Sequence, residues 1–242
     1  MKVHLIAAGK YHDIDFARLE LLNLLAEHPE ARTTVAADYA ATDLIAQSRL
    51  LVTYTCDLAA SPEETAALSR WIEQGGRWLA LHGTNSLLRF GADGTVEIPD
   101  SAPGFMELLG TQFVGHPPIG RYKVQVTRAD HQMTTGLRDF GVVDELYLTR
   151  KTAAYDVLLH TAFKGTCPEF GPQEWDEAEV PVLYERKLGK GSILYLTLGH
   201  CRGHYDLRPL ADFYPHPERC AWNYPVFYEL LRRGIRWGLA DR

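Results

Sequence analysis

The stretch Gly75-Gly76-Arg77-Trp78-Leu79-Ala80-Leu81-His82-Gly83-Thr84-Asn85-Ser86 limits what this chain can fold into more than any other. It reads as a helix stop, a short buried strand and a tight glycine turn. Upstream, Ser61-Pro62-Glu63-Glu64 is a strong helix start: Ser61 caps, Pro62 fits the first helical position, and Glu64 completes a capping box. That helix is predicted to run to Gln74 and stop at Gly75-Gly76. Before it, Leu50 to Cys56 is nearly continuous in apolar residues, as a strand covered on both faces must be. Strand, helix, strand of this kind closes as a right-handed crossover in a parallel sheet. The turn at Gly83 then lies at the carboxyl end of a central strand, where open α/β sheets bind ligands. Many hydrolases hold a nucleophile at such an elbow. Here the tip is His82, neither Ser nor Cys, so elbow-type acyl chemistry is not available from it. Imidazole can ligate a metal or move a proton. A lone histidine at such a turn also reads as a residue that hydrogen-bonds its own loop.

The rest of the chain fits the same plan at both ends. Lys2 to Ala8 reads as a first strand, and a helix follows from about Asp15 to Glu27 with Phe16, Leu19, Leu22, Leu25 and Ala26 in helical period. Thr33 to Tyr39 is a weakly alternating strand. Near the other end, Val180 to Arg186 and Ser192 to Leu198 flank Leu188-Gly189-Lys190-Gly191, a hairpin signal. Pro225 opens a last helix with a broad apolar face. Between them the rhythm breaks: residues 87–150 carry Gly91, Gly94 and Pro99, a short helix near Gly104–Gly110 and an alternating strand from Arg121 to Arg128. The expectation is a single α/β domain over residues 1–242, a doubly wound, mostly parallel sheet flanked by helices, with an irregular, antiparallel insertion around 87–150.

The 242 residues are 46% hydrophobic and 23% charged, enough for one sizeable core. The net charge of −6, with no long run of one sign, argues against nucleic-acid and anionic-membrane partners. No apolar run nears the roughly 20 residues that span a bilayer. The run Val3–Ala8 is too short for a signal peptide's apolar region and cleavage site, so a cytoplasmic protein is expected. The four cysteines form no C-x-x-C pair, which argues against a zinc ribbon or a disulfide framework.

Three of the ten histidines, His12, His82 and His200, fall just past the ends of predicted sheet strands. Those ends share one edge of an open sheet, so the three loops are expected to converge. Scatter is the alternative, because loops carry polar residues anyway. Three neutral imidazoles with an open position make a catalytic metal site, suited to zinc or another first-row transition metal. His82 and His200 are therefore candidates both as ligands and as catalytic groups, and Asp13 is a candidate for orienting one imidazole. Asp57 lies on the same edge. Asp144 and Glu145 are adjacent, and on a strand they would point to opposite faces, so only one can enter a site. Glu145 is taken as the candidate base, a solvated acidic pair being the other reading. His116, from the insertion, Asp57 and Arg202 are candidate substrate-binding residues. The aromatic loop Tyr205 to Tyr214 could close the site or form a dimer contact.

Six motifs in order carry a family resemblance over nearly the whole chain: residues 76–83 (GRWLALHG), 108–117 (LLGTQFVGHP), 130–137 (DHQMTTGL), 144–147 (DELY), 195–200 (YLTLGH) and 228–237 (YELLRRGIRW). Together they resemble the ThuA-like, or trehalose utilisation, family. Gln132 stands where other members have Pro, while His131 is kept. The resemblance implies a class I glutamine amidotransferase-like, flavodoxin-like fold. In true amidotransferases the elbow residue is Cys and a His follows a late strand; here the elbow holds His82 and His200 stands in the late position. Without a thiol nucleophile glutaminase activity is not expected. The family is linked to disaccharide breakdown beside oxidoreductases that make 3-keto sugars. The implied activity is a metal-assisted lyase, hydrolase or isomerase acting on such a small-molecule sugar, with a homo-oligomer as a possible assembly. The alternative is a non-catalytic sugar-binding or regulatory module on the same fold.

Overall fold

The computed structural model describes residues 1–91, 95–204, 212 and 215–241. In chain order the elements are β1 (Lys2–Gly9), α1 (Ile14–Ala26), β2 (Arg32–Ala36), α2 (Thr42–Ala46), β3 (Leu50–Cys56), α3 (Pro62–Glu73) and β4 (Arg77–Leu81). After a 3-10 turn at His82–Asn85 come the two-residue strands β5 (Arg89–Phe90) and β6 (Val96–Glu97), then α4 (Pro103–Leu109), β7 (Thr111–Gly115), β8 (Gly120–Val126), β9 (Phe140–Asp144) and β10 (Leu148–Lys151). The chain ends with β11 (Asp156–Thr166), β12 (Glu174–Leu188), β13 (Gly191–Leu196) and the helix Pro225–Leu239, here α5.

Nine strands form one sheet in the order β2-β1-β3-β4-β13-β12-β11-β8-β9. The first five run parallel, and their order, second-first-third-fourth-last, is that of flavodoxin-like folds. From β13 onward every pairing is antiparallel. The irregular region is thus part of the main sheet: β8 and β9 extend it beyond β11, while β7 and β10 pair separately. The antiparallel part also runs past residue 150, to the end of β12.

Side chains alternate across the central strands and feed two cores. Val3, Leu5 and Ala7 of β1 pack with α1 and α5, alongside Leu21, Leu24, Leu230 and Ile235. Ile6, on the other face, packs with Ile45 of α2, Leu68 and Trp71 of α3, and Phe105 of α4. Helix α3 starts with the capping box read from sequence: Ser61 accepts from the Glu64 N–H at 3.2 Å, and Glu64 accepts from the Ser61 N–H at 2.7 Å. Helix α1 starts one residue earlier than expected because the Asp13 carboxylate caps it, accepting from the Phe16 N–H.

Candidate functional site

His12, His82 and His200 follow β1, β4 and β13, three parallel strands whose carboxyl ends lie on one edge. The structure brings their side chains together. His12 Nε2 lies 2.9 Å from His82 Nε2, and the His200 ring sits 5.1 Å from that of His12 and 5.7 Å from that of His82, centroid to centroid. Glu145, just past β9, reaches in from the antiparallel part: its Oε2 is 3.4 Å from His82 Nε2 and 3.3 Å from His200 Nδ1. One ligand atom from each of His12, His82, Glu145 and His200 lies within 4.8 Å of the other three.

Each imidazole is oriented from behind. His82 Nδ1 faces the Thr197 carbonyl at 2.8 Å, so it carries the proton and leaves Nε2 bare toward the cluster. His200 Nε2 faces Glu218 at 3.0 Å, which turns Nδ1 inward; that Nδ1 is buried and makes no hydrogen bond. His12 Nδ1 is 3.3 Å from the Lys10 carbonyl. An outward N–H on an oxygen with the other ring nitrogen turned inward is the arrangement of imidazoles that bind a divalent metal, which replaces any proton on the inward nitrogen. The 2.9 Å contact between His12 and His82 needs a proton between the two nitrogens, or a cation in its place. The residues present therefore fit a bound transition-metal ion.

The backbone under the cluster is firmly held. His82 has a left-handed φ of 43°, which costs a non-glycine residue about 1–2 kcal/mol. Tyr195 fixes this turn, its hydroxyl donating to the His82 carbonyl at 2.5 Å and accepting the Asn85 N–H at 2.8 Å. Gly83 follows because a Cβ there would come within 2.6 Å of the Thr55 carbonyl oxygen. The Gly199 carbonyl accepts from both the Tyr54 hydroxyl at 2.7 Å and the Trp222 indole at 2.8 Å. Asp144 accepts the Gly199 and His200 N–H groups at 2.7 and 3.1 Å.

The charges are tightly coupled. Burial drives the His12 imidazole well below its usual pKa, and His82 and His200 add to that. Burial opposes the charge on His200, but Glu145 and Glu218 outweigh it and push the imidazole up to about 10. Burial likewise opposes ionisation of Glu145, yet His200 and His116 hold its carboxyl well below the usual range. Burial pushes Asp144 up to about 6 against the pull of His82 and the Gly199 N–H.

Other expected residues occupy different places. His116 adjoins the cluster, its Nε2 3.2 Å from Glu145 Oε1 and its Nδ1 2.8 Å from the Pro117 carbonyl. Asp57 pairs with Lys10 at 2.8 Å and accepts the Leu88 N–H at 3.1 Å. Arg202 pairs with Glu218 at 2.5 Å, behind His200. Asp13 does not orient an imidazole: its oxygens take the Phe16 N–H and the Arg219 guanidinium, because the residue caps a helix. Asp144 and Glu145 both serve the site, one through the backbone and one through its side chain, because Glu145 lies beyond the strand end where alternation no longer holds. Sequence reasoning missed Glu218, which stands in a polar loop with no local motif around it. It also missed Tyr147, whose ring lies 4.3 Å from that of His82. Of the Tyr205–Tyr214 loop, residues 205–211, 213 and 214 lie outside the described residues. No helix among the described residues is long and apolar enough to cross a membrane.

The profile of the ThuA family, described as trehalose utilisation, matches residues 3–212. No curated protein matches the sequence. Among solved structures, a ThuA-like protein from Parabacteroides merdae aligns over 98% of this chain and 89% of its own, with a TM-score of 0.68 and 16% identity. One from Bacteroides uniformis aligns over 100% of this chain and 92% of its own, with a TM-score of 0.66 and 16% identity. A cytoplasmic protein from Salmonella typhimurium LT2 aligns over 98% of this chain and 96% of its own, with a TM-score of 0.55 and 12% identity. At these identities the likeness concerns the fold.

Proposed function

Since the chain belongs to the ThuA, or trehalose utilisation, family, we propose that it is a metal-assisted enzyme of disaccharide breakdown, acting as a lyase, hydrolase or isomerase on a sugar such as a 3-keto glycoside. One observation carries this reading: His12, His82, His200 and Glu145 present ligand atoms within 4.8 Å of one another, at the sheet edge where such folds bind ligands. His12, His82 and His200 would hold the ion, zinc or another first-row transition metal. A bound ion supplies Lewis acidity to a sugar carbonyl or hydroxyl oxygen.

The chain's own residues do the rest. Glu145 is the base, placed to take a proton from the carbon beside a sugar ketone. His116, 3.2 Å from Glu145 Oε1 and partly exposed, passes that proton onward. Thr197 and Glu218 keep the imidazoles turned inward, and Tyr147 covers His82 and excludes water from that side. Asp57 is the rim group that shapes the approach of a hydroxyl-rich ligand in this reading, whereas Arg202, paired with Glu218, acts behind His200 by holding that carboxylate on the imidazole. Glutamine hydrolysis is outside this repertoire, because the elbow offers an imidazole where acyl transfer needs a thiolate.

The test is metal analysis of protein purified without a histidine tag. About one ion per chain is expected, as in three-histidine sites. His82→Ala should lose that ion and turnover of a 3-keto glycoside while keeping its circular dichroism. Full occupancy in the variant removes His82 from the ligand set. A metal-free wild type after incubation with zinc leaves the sugar-binding module as the better account. Ammonia release from glutamine that disappears in His82→Ala would overturn the exclusion of glutaminase activity.

A further inference from the structure

Two large aromatic side chains are left on the surface of the segments that follow β1 and the His82 turn. Tyr11 is 40% exposed and Phe90 57%, and their rings touch edge to face, 5.5 Å apart at 69°. They come from segments far apart in sequence. Tyr11 lies between Lys10 and His12, and Phe90 is the second residue of β5, in the excursion that follows the His82 turn. Asp57 joins the two segments: its Oδ2 pairs with Lys10 and its Oδ1 holds the Leu88 N–H. Both Tyr11 and Asp57 have left-handed backbone, with φ of 67° and 54°. Such strain costs roughly 1–3 kcal/mol per residue and gathers at functional sites.

The chemistry of this patch is that of a carbohydrate subsite. An aromatic face offers a large rigid surface for the C–H face of a pyranose ring. A carboxylate and an ammonium at its side supply an acceptor and a donor for neighbouring hydroxyls, the few placed polar groups that orient a ligand. Tyr11 adjoins His12 in the chain, and consecutive Cα atoms are about 3.8 Å apart. His12 Nδ1 faces the Lys10 carbonyl, and the Asp57 N–H donates to the Ser86 carbonyl, four residues past His82, so the loops that carry the aromatic pair and the cluster share one edge of the sheet.

We propose that Tyr11 and Phe90, flanked by Lys10 and Asp57, form the subsite for the second ring of a two-ring glycoside whose first ring lies at His12, His82, His200 and Glu145. This rests on the sugar reading above and adds which part of the substrate is recognised, and by what. The pair makes the protein selective for disaccharides over single-ring sugars.

Calorimetric titration of α,α-trehalose and methyl α-D-glucopyranoside tests it, with metal content measured on the same samples. The wild type should bind trehalose about tenfold tighter than the single-ring glucoside, the scale set by one well-stacked aromatic contact. In Phe90→Ala, and in Tyr11→Asn, which tolerates the left-handed backbone, the gap should shrink to about threefold or less. Phe90→Trp, which keeps a ring, should retain it. A wild type that shows no such gap, or no trehalose binding, overturns the proposal; so does a gap unchanged in the folded Phe90→Ala and Tyr11→Asn proteins. The metal measurement separates the two ideas. Low metal with a gap that closes overturns the metal reading and supports the subsite, whereas full metal with an unchanged gap overturns the subsite alone.

Discussion

The parallel and antiparallel halves of the nine-stranded sheet contribute to the cluster in different ways. Three of its four groups, His12, His82 and His200, come from the ends of β1, β4 and β13, and the fourth, Glu145, comes from the end of β9 at the far antiparallel edge. Every residue of β3 and of β13 is buried. In β8 only Val124 is buried, and in β9 only Val142 and Asp144. Strands covered on both faces fix their end loops rigidly, so the parallel half is suited to holding an ion. A strand with one exposed face is a looser support, and the carboxylate it delivers is the group that the proposed function has giving and taking protons. The proposed function thus divides holding and reacting between two kinds of strand.

The sharpest test of that division compares Glu145→Gln with His82→Ala. Turnover of a 3-keto glycoside should fall about 10²–10⁴-fold in Glu145→Gln, the usual weight of a general base, with metal content retained. His82→Ala should lose the metal as well. Equal metal loss in both would make Glu145 a ligand first and erase the distinction.

Next comes stability, read from urea unfolding. Trp78 is fully buried and donates to Thr53 Oγ1 at 2.9 Å, so Trp78→Ala should cost about 3–5 kcal/mol. Val124→Ala in the outer half removes two methyl groups and should cost about 1.6 kcal/mol. Comparable losses would mean that the halves are equally supported.

Asp144 bridges the halves. Asp144→Asn leaves one of the Gly199 and His200 N–H groups without a good acceptor, and should cost about 2 kcal/mol. Zinc affinity, followed by competition with a chelator, should drop with it because His200 loses its backbone anchor. Unchanged affinity would show that Glu218 alone positions His200. The smallest effect is expected for Ser61→Ala, which removes the α3 cap and should cost about 1 kcal/mol by thermal unfolding, leaving zinc binding untouched.

What the chain reveals before folding follows the same line. Continuous apolar runs, a capping box and a glycine stop are local signals, and they mark β3, α3, β4 and the His82 turn from sequence. Convergence of three strand-end histidines follows from topology. The antiparallel half depends on pairings across long separations and on register shifts within β11 and β12, neither of which has a local signature. That is why the hairpin of β12 and β13 was legible from Gly189-Lys190-Gly191, while the pairing of β11 with β12 and β8 was not, nor the partnership of Glu218 with His200. Asp13 read as an imidazole partner from its place on the same sheet edge, but helix capping and Arg219 claim its oxygens. Glu145 was legible as one of two adjacent acids of which one could enter a site, while its position past the end of β9 and its contact with His116 required the fold.

The left-handed turn at His82 acts as a socket. Tyr195 grips the backbone on both sides of it, and the direction of the Cα–Cβ bond is set by the turn rather than by the side chain plugged into it. Imidazole gives a metal-binding or proton-moving group; a thiol on the same bond would give a nucleophile. The backbone contacts that shape this turn are therefore made by atoms other than the imidazole, and what the socket presents to the cluster is decided by the side chain at position 82 alone.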